Sequence, residues 1–294
     1  MRTVIQSAID ILSLGSLYAL LALGVALVFG IMRFINFAHG ELLMVGGYSL
    51  FLARELPFVF MILVCIATVV LTALLFERVA FRPIRGANPA TQLVTSFALS
   101  FLLQNLAMLT LGPRAKSVGL PTVLTEQFTV GGLRIAKLDI LTVVLGVVLM
   151  ASLGFFLKRS TLGVQMRASA ENFEMARLVG VKANTVIASA FAISGLLAAS
   201  AAIILVAKTG TITPGLGLKP VVIAFVATIM GGLGSLSGAA LGGFVLSFLS
   251  VTLQTLLPLD LRPFRDAFVF GSVVLIFLLR PQGLIVVRSI KERV

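Results

Sequence analysis

The chain has 294 residues, of which 59% are hydrophobic and 12% are charged, and its mean hydropathy is +1.12. This composition excludes a soluble globular domain and is typical of a protein that crosses a membrane many times. The formal net charge of +12 does not indicate nucleic-acid binding, because lysine and arginine are dispersed among short loops with no basic cluster interleaved with aromatic residues.

Eight or nine apolar segments follow one another along the chain and predict an all-α polytopic membrane protein. A helix needs about 20 apolar residues to cross a hydrocarbon core of about 30 Å, and helices fit these run lengths better than barrel strands. The segments cover approximately residues 5–31, 37–53, 57–77, 91–112, 138–157, 186–208, 219–233, 236–257 and 264–280. The second, which is polar, and the seventh and eighth, which share a glycine-rich turn, are candidates for broken or re-entrant segments.

The first apolar run, residues 5–31, is expected to stay in the mature chain as a membrane span. It is longer than the apolar core of a signal peptide, and no small-x-small cleavage pattern follows it. Cys65 is the sole cysteine and lies inside the third segment, so an intrachain disulfide is excluded.

The stretch FINFAHGELL, residues 34–43, places Asn36, His39 and Glu41 at the start of the second segment. One central carboxylate costs about 3 kcal/mol, against about 4 kcal/mol gained from the apolar side chains of this segment. We therefore expect the cluster to lie near the cytoplasmic end or to be buried against other helices or water. The side chains either satisfy backbone groups at a helix break between residues 31 and 41, or they form a gate on a solute path.

The fourth segment carries a polar stripe, because polar residues recur every four positions and therefore share one helix face. The stripe consists of Gln92, Ser96, Ser100 and Gln104, with Thr95 and Asn105 expected to widen it. Such a face meets lipid only by leaving polar groups unpaired, so we expect it to face protein or a cavity. It either holds helices together or lines a translocation path.

Residues 113–137 form a long connection on the predicted outer side. Within FTVGGLRI, Gly131-Gly132 separates two short alternating runs, a pattern that predicts a β-hairpin with a two-residue turn. This loop is either a lid or docking platform for an external partner, or only a capped loop.

The sequence RASAENFEMARLVGVKANT, residues 167–185, predicts a cytoplasmic helix of about ten residues. Ser169 is the expected N-cap, Glu171 and Glu174 fall in the first turns, and Gly180 is the expected C-terminal stop. Its apolar side consists of Ala170, Phe173, Ala176 and Val179. This side is too small to fold alone, so we expect it to press against a neighbour.

Asn184 is expected to cap the next membrane helix and so to join the cytoplasmic helix to it without interruption. Further along, Gly234, Gly238 and Gly242 recur every four residues and predict close packing of two helix backbones. The alternative is a glycine-interrupted pair of half-helices of the kind that surrounds a transported solute.

The distribution of positive residues predicts an external N-terminus and a cytoplasmic C-terminus. With this orientation, 13 of the 23 lysine and arginine residues lie inside, several of them between residues 158 and 182 and after residue 280.

Four motifs span most of the chain: NFAHGE at 36–41, RxxAEN at 167–172, EMARLVG at 174–180 and GGLGSLSGAALGG at 231–243. The third resembles the E-A-A-x-x-x-G coupling signature of bacterial ABC importer permeases, with Met175 where alanine is usual. Together they resemble a LivH-type permease of the high-affinity branched-chain amino-acid transporters.

This resemblance implies a single permease domain over residues 1–294 in the bacterial inner membrane, with a periplasmic loop at 113–137 and a coupling-helix region at 168–184. The implied partners are a homologous second permease, two cytoplasmic ATPase subunits and a periplasmic solute-binding protein. The chain itself would bind no cofactor, since ATP and Mg belong to the ATPase subunits. The residues implied in ATPase coupling are Glu171, Asn172, Phe173, Glu174, Met175, Ala176, Arg177 and Gly180.

Other functions are disfavoured by what the sequence lacks. It has no Gly-Lys dipeptide and hence no P-loop, its one histidine and one cysteine cannot build a zinc site, and His39 has no convincing serine or cysteine partner. A urea or short-amide permease remains the alternative within the class. A gradient-driven carrier is less expected, because it would place several ionisable groups at mid-span.

Overall fold

The computed structural model describes residues 2–119, 126–130, 133–280 and 283, and these residues are mostly helical. The described helices are α1 (Arg2–Met32), α2 (His39–Leu52), α3 (Phe58–Leu75), α4 (Pro89–Leu111), α5 (Lys137–Arg159), α6 (Thr161–Glu171), α7 (Phe173–Leu178), α8 (Ala183–Thr209), α9 (Leu218–Gly231), α10 (Leu236–Leu256) and α11 (Arg265–Leu279). A π-helical turn, Phe76–Phe81, extends α3, and a 3-10 turn, Leu259–Phe264, precedes α11. The strands are β1 (Lys116–Ser117), β2 (Gln127–Val130), β3 (Leu133–Ala136) and β4 (Thr211–Ile212). The predicted all-α polytopic class is confirmed.

Each of the nine predicted segments forms a helix, but their lengths differ. Six described helices are long and apolar enough to cross a membrane: α1, α3 with its π turn, α4, α5, α8 and α10. Helices α2 and α9 have 14 residues each, or about 21 Å at 1.5 Å per residue, which is shorter than a bilayer core. Thus the second and seventh segments are half-length helices, whereas the eighth is a complete span.

The bundle has two ends that the connections identify. The hairpin end comprises residues 112–119, 126–130, 133–137 and 208–217, and the α7 end comprises residues 33–35, 82–88 and 160–182. At the hairpin end, Lys208 Nζ lies 2.9 Å from Asp139 Oδ1. At the α7 end, Arg85 Nη1 donates to Asn184 Oδ1 at 2.6 Å. The helices run between these two ends.

Helices α1 and α8 form the centre of the bundle. Helix α1 packs against α5, α8, α9 and α10, and most of its inner two-thirds is buried. Small residues permit this close packing, because the Ser194 hydroxyl donates to the Gly24 carbonyl at 2.9 Å and Gly243 lies against the backbone of Ala19. The core is therefore held by van der Waals contacts and a few buried hydrogen bonds.

Glycines set the geometry of the turn between α9 and α10. A Cβ at Gly238 would overlap the Gly231 carbonyl, and one at Gly242 would overlap the Ala227 carbonyl. Gly234 differs, because the space at its Cβ position is open and its φ of 89° forms the turn itself. The prediction that Gly234 takes part in helix packing is therefore wrong.

The predicted hairpin is confirmed in its strand pairing. Strands β2 and β3 pair antiparallel with Val130 opposite Leu133, which leaves a two-residue connection. Gly131 and Gly132 lie outside the described residues. Strands β1 and β4 pair separately and join the connection after α4 to the one after α8.

Candidate functional site

The predicted helix break between residues 31 and 41 is confirmed. Helix α1 ends at Met32, Arg33 has a left-handed φ of 56°, and α2 begins at His39. The first amides of α2 bond to carbonyls three residues earlier, such as His39 N to Asn36 O at 3.3 Å. The short segment 33–38 thus folds back into the bundle as an irregular chain surrounded by protein.

The starts of α2 and α9 meet inside the bundle. A Cβ at Gly40 would lie 2.6 Å from the Gly217 carbonyl oxygen, and one at Gly217 would overlap the Gly40 backbone. Only glycine at both positions permits this approach. Two half-length helices therefore begin at the same point and run toward opposite ends.

Glu41 lies at this meeting point with its side chain fully buried. Its Oε1 accepts hydrogen bonds from Ser100 Oγ and Gln104 Nε2, each at 2.7 Å. Its Oε2 is buried and has no partner among the described residues. A carboxylate buried with one unpaired oxygen is costly, and such groups inside a membrane bundle usually serve function.

The depth of Glu41 corrects one prediction. Ser100 is the middle residue of α4, Pro89–Leu111, so the carboxylate it binds is level with the centre of that span. Of the two expected positions, burial against other helices is confirmed, and a position near the cytoplasmic end is wrong for Glu41. The neighbouring helices supply the hydrogen bonds that permit this position.

His39 contacts both central helices. Its Nδ1 lies 3.2 Å from Ser194 Oγ, and Ser194 donates its single proton to the Gly24 carbonyl at 2.9 Å. This network assigns the proton to His39 Nδ1, which leaves Nε2 as a buried acceptor with no partner among the residues that the structure describes. Ser194 is a hydrogen-bonding partner of His39, but it holds two helices together and is not poised as a nucleophile.

Among the described residues, the side chains of Asn36, His39 and Glu41 do not form the predicted hydrogen bonds to backbone groups of the helix break, so the structural role considered for them is wrong. Asn36 Oδ1 is buried without a partner in the described part of the chain. Ser96 of α4 binds the backbone of the break instead, since its Oγ accepts a hydrogen bond from Phe37 N at 3.2 Å. No local sequence pattern predicts this pairing across 59 residues.

The polar stripe of α4 is buried along its whole length and faces protein, as predicted. Its residues make three separate sets of contacts. Gln92 Nε2 donates to carbonyls of the 84–87 turn, and Ser96 Oγ accepts from Phe37 N in the helix break. Ser100 and Gln104 both donate to Glu41.

Thr95 and Asn105 do not widen this stripe, which corrects the prediction. Thr95 is half-buried and Asn105 is exposed, and each bonds within its own helix, Thr95 Oγ1 to Thr91 O and Asn105 Nδ2 to Phe101 O.

A cavity of about 430 Å³ opens beside this cluster, between α2, α3 and α4. It begins one turn beyond Glu41 and Gln104, at Met44 and Ala107, and its lining is mostly aliphatic. The Tyr48 hydroxyl, which is buried without a described partner, is among the few polar groups of the lining. A buried carboxylate and an apolar cavity thus lie on the same face of α2.

The cytoplasmic helix predicted at 169–180 is shorter than expected. Helix α6 begins after Ser160, whose Oγ accepts from Gly163 N, and continues to Glu171. Asn172 then caps α7 by accepting from Met175 N at 3.1 Å. The predicted Ser169 N-cap is wrong, since Ser169 is buried inside α6.

The C-terminal stop at Gly180 is confirmed. Gly180 has a φ of 88°, Gly180 N bonds to Arg177 O, and Val181 N bonds to Ala176 O. These two bonds form a Schellman motif. Helix α7 is therefore six residues long and capped at both ends.

Helix α7 does not continue into α8. Residues 179–182 separate them, and Asn184 lies inside the first turn of α8, where it accepts from Arg85 instead of capping. The predictions of continuity and of an Asn184 cap are wrong. Arg85 also pairs with Glu77, and burial lowers the pKa of its guanidinium.

The surface of α7 is apolar on the side away from the bundle. Ala176 is buried and Phe173 packs partly against the core, as expected for the inner side. Met175, Leu178 and Val179 are 61%, 80% and 81% exposed. The prediction that Val179 faces inward is wrong, because the Schellman turn directs it outward. Glu171, Asn172, Glu174 and Arg177 are exposed around this surface.

These features define a multi-pass membrane permease: a helical bundle with two half-helices meeting at a buried carboxylate, and a short capped helix at one end. The family model described as "Branched-chain amino acid transport system / permease component" matches residues 7–279. The chain belongs to this family.

Individual relatives match over nearly the same length. The chain is 36% identical to the high-affinity branched-chain amino acid transport system permease protein BraD of Pseudomonas aeruginosa, over 96% of this chain and 95% of that protein. It is 31% identical to the corresponding permease proteins LivH of Salmonella typhimurium and Escherichia coli, with the same coverage. The relatives are transport components and not enzymes.

Proposed function

We propose that this chain is the permease subunit of an ATP-driven bacterial importer of branched-chain amino acids and forms half of the translocation path. It pairs with a homologous second permease, two cytoplasmic ATPase subunits and a periplasmic solute-binding protein. ATP and Mg bind to the ATPase subunits. The chain lies in the inner membrane with its N-terminus outside and its C-terminus in the cytoplasm.

The observation that carries this proposal is the outer surface of α7, formed by Met175, Leu178 and Val179. Three adjacent exposed apolar side chains on a capped helix at the end of a membrane bundle mark an interaction surface. A short helix of this kind fits a groove of a partner protein. An ATPase subunit is the partner that an importer places at its cytoplasmic end.

The buried cluster supplies the path or its gate. Glu41 presents one oxygen that no described residue binds, and the adjacent cavity is lined mostly by aliphatic groups suited to a branched side chain. Ser100 and Gln104 orient the carboxylate, while Gln92 and Ser96 fix the turn and the break on either side. Asn36 and His39 complete the cluster at the start of α2.

The relatives favour branched-chain amino acids over urea or short amides, because the family and the named proteins are described by that substrate. Energy coupling through separate ATPase subunits is likewise favoured over a gradient-driven carrier.

Uptake by the reconstituted complex tests this proposal. The full complex is placed in proteoliposomes with ATP inside, and uptake of labelled leucine is measured in competition with valine, a polar amino acid and urea. We expect ATP-dependent leucine uptake that valine inhibits and urea does not. Competition by urea alone would reassign the substrate, and uptake by this chain alone under an ion gradient would overturn the importer proposal.

A further inference from the structure

The structure links the start of α7 to the break before α2 through one side chain. We propose that Arg33 is a positioning residue that transmits movement of the coupling helix to the Glu41 cluster. This inference rests on the proposed function, since it specifies how ATPase movement reaches the path.

On one side, Arg33 holds the corner between α6 and α7. Its Nη2 donates to Ala170 O at 3.1 Å and to Glu171 O at 3.4 Å. These carbonyls end α6, where a helix leaves its last C=O groups without intrahelical partners. Asn172, the N-cap of α7, follows at once. A displacement of α7 therefore acts directly on the two carbonyls that Arg33 binds.

On the other side, Arg33 is followed immediately by the break. Phe34 is buried with its ring 5.1 Å from that of Phe81, and Phe37 N bonds to Ser96 Oγ. His39 begins α2 six residues after Arg33. The segment is short and held at several points, so a pull on Arg33 reaches the start of α2.

The backbone of Arg33 also indicates a specific role. Its φ of 56° is the sole positive value among non-glycine residues in the described part of the chain. Glycine or asparagine adopts this conformation more readily than arginine. Nothing in the turn itself requires a long side chain, but the two hydrogen bonds to α6 do.

The alternative route, from α7 into α8, is interrupted. Residues 179–182 separate the two helices, and the Schellman bonds close the C-terminal end of α7. Arg33 thus provides the more direct contact between the α7 corner and an element that touches Glu41.

Arg33 is exposed, and hydrogen bonds of exposed groups add little to stability. Its removal is therefore expected to spare folding and to change coupling. Three variants separate the contributions of backbone and side chain: Arg33→Ala, Arg33→Gly and Arg33→Lys. Arg82→Ala is the matched control, since Arg82 is an exposed arginine at the same end of the bundle.

The first measurement compares uptake with ATP hydrolysis in the assembled, reconstituted complex. We expect Arg33→Ala and Arg33→Gly to lower the solute moved per ATP about tenfold while binding-protein-stimulated hydrolysis persists. Arg33→Lys, which keeps a donor, should retain part of the coupling, and Arg82→Ala should match the wild type. Unchanged coupling in Arg33→Ala, or full coupling in Arg33→Gly, would overturn the inference.

The second measurement does not depend on transport. Hydrogen exchange is followed in the same complexes with and without a non-hydrolysable ATP analogue. In the wild type we expect the analogue to change exchange in both 171–178 and 34–41, and in Arg33→Ala only in 171–178. If exchange at 34–41 depends on Arg33 in this way but no ATP-dependent uptake occurs, the proposed function is wrong and the inference about Arg33 is retained. If uptake occurs and exchange at 34–41 responds equally in Arg33→Ala, the Arg33 inference fails alone.

Discussion

Helices α2 and α9 have the same length and begin at the same point, yet their surroundings differ. Each has 14 residues, and Gly40 of one abuts Gly217 of the other. In α2 the first turn buries Glu41, one of whose oxygens has no partner in the described part of the chain. In α9 the corresponding charge, Lys219, is exposed and pairs with Asp266 of α11.

This difference separates what the fold needs from what function needs. The non-helical residues before each half-helix must be surrounded by protein, because the bilayer core contains no water to form hydrogen bonds with their backbone groups. The pair of α9 lies on the surface of this chain, whereas the buried carboxylate of α2 depends on its hydrogen bonds to Ser100 and Gln104. We therefore place the chemistry of the path on the α2 side.

The largest effect is expected where the two helices meet. Gly217→Ala adds a methyl group that overlaps the Gly40 backbone, and overpacking of this kind costs about 1–3 kcal/mol. The thermal unfolding temperature in detergent and the rate of leucine uptake should both fall. Gly215→Ala is the matched control, since the space around Gly215 is open. Equal behaviour of the two variants would mean that the helix starts do not touch.

An intermediate effect is expected from the carboxylate itself. Glu41→Gln keeps an oxygen that accepts from Ser100 and Gln104, so folding should be preserved. Uptake should fall about tenfold or more, because a hydrogen bond to a charged group contributes about 1.5–3 kcal/mol. Uptake by the assembled complex and melting temperature are measured together. Normal uptake with normal stability would show that the Glu41 charge takes no part in the path.

The smallest effect is expected on the α9 side. Lys219→Met removes an ion pair whose side chains are 63% and 43% exposed, and such pairs contribute about 0–1 kcal/mol. Stability and leucine uptake should remain near the wild-type values. A loss as large as that of Glu41→Gln would remove the distinction between the two half-helices and assign a charge-dependent role to both.

The sequence predicted those features that depend on local pattern. Period-four polarity placed Ser100 and Gln104 on one buried face, and the glycine at position 180 marked a helix end that the Schellman bonds confirm. Both signals are contained within a few turns of one helix, where residue spacing fixes side-chain direction.

Contacts between distant segments could not be predicted in this way. Ser194 meets His39 across 155 residues, and Arg33 meets Ala170 across 137. The sequence also does not distinguish between two possible N-caps that lie close together. Ser169 and Asn172 are both favourable N-cap residues, and the structure shows that Met175 N bonds to Asn172.

The proposal that α7 docks on a cytoplasmic ATPase is tested most directly by thiol labelling of Leu178→Cys. Leu178 is 80% exposed, and the native Cys65 is buried. We expect an impermeant maleimide to label Leu178→Cys in inside-out vesicles but not in spheroplasts, and the ATPase subunits to protect it. Ser117→Cys, an exposed position at the hairpin end, should show the opposite sidedness. Labelling of Leu178→Cys from the outside, or equal labelling with and without the ATPase subunits, would contradict the proposal.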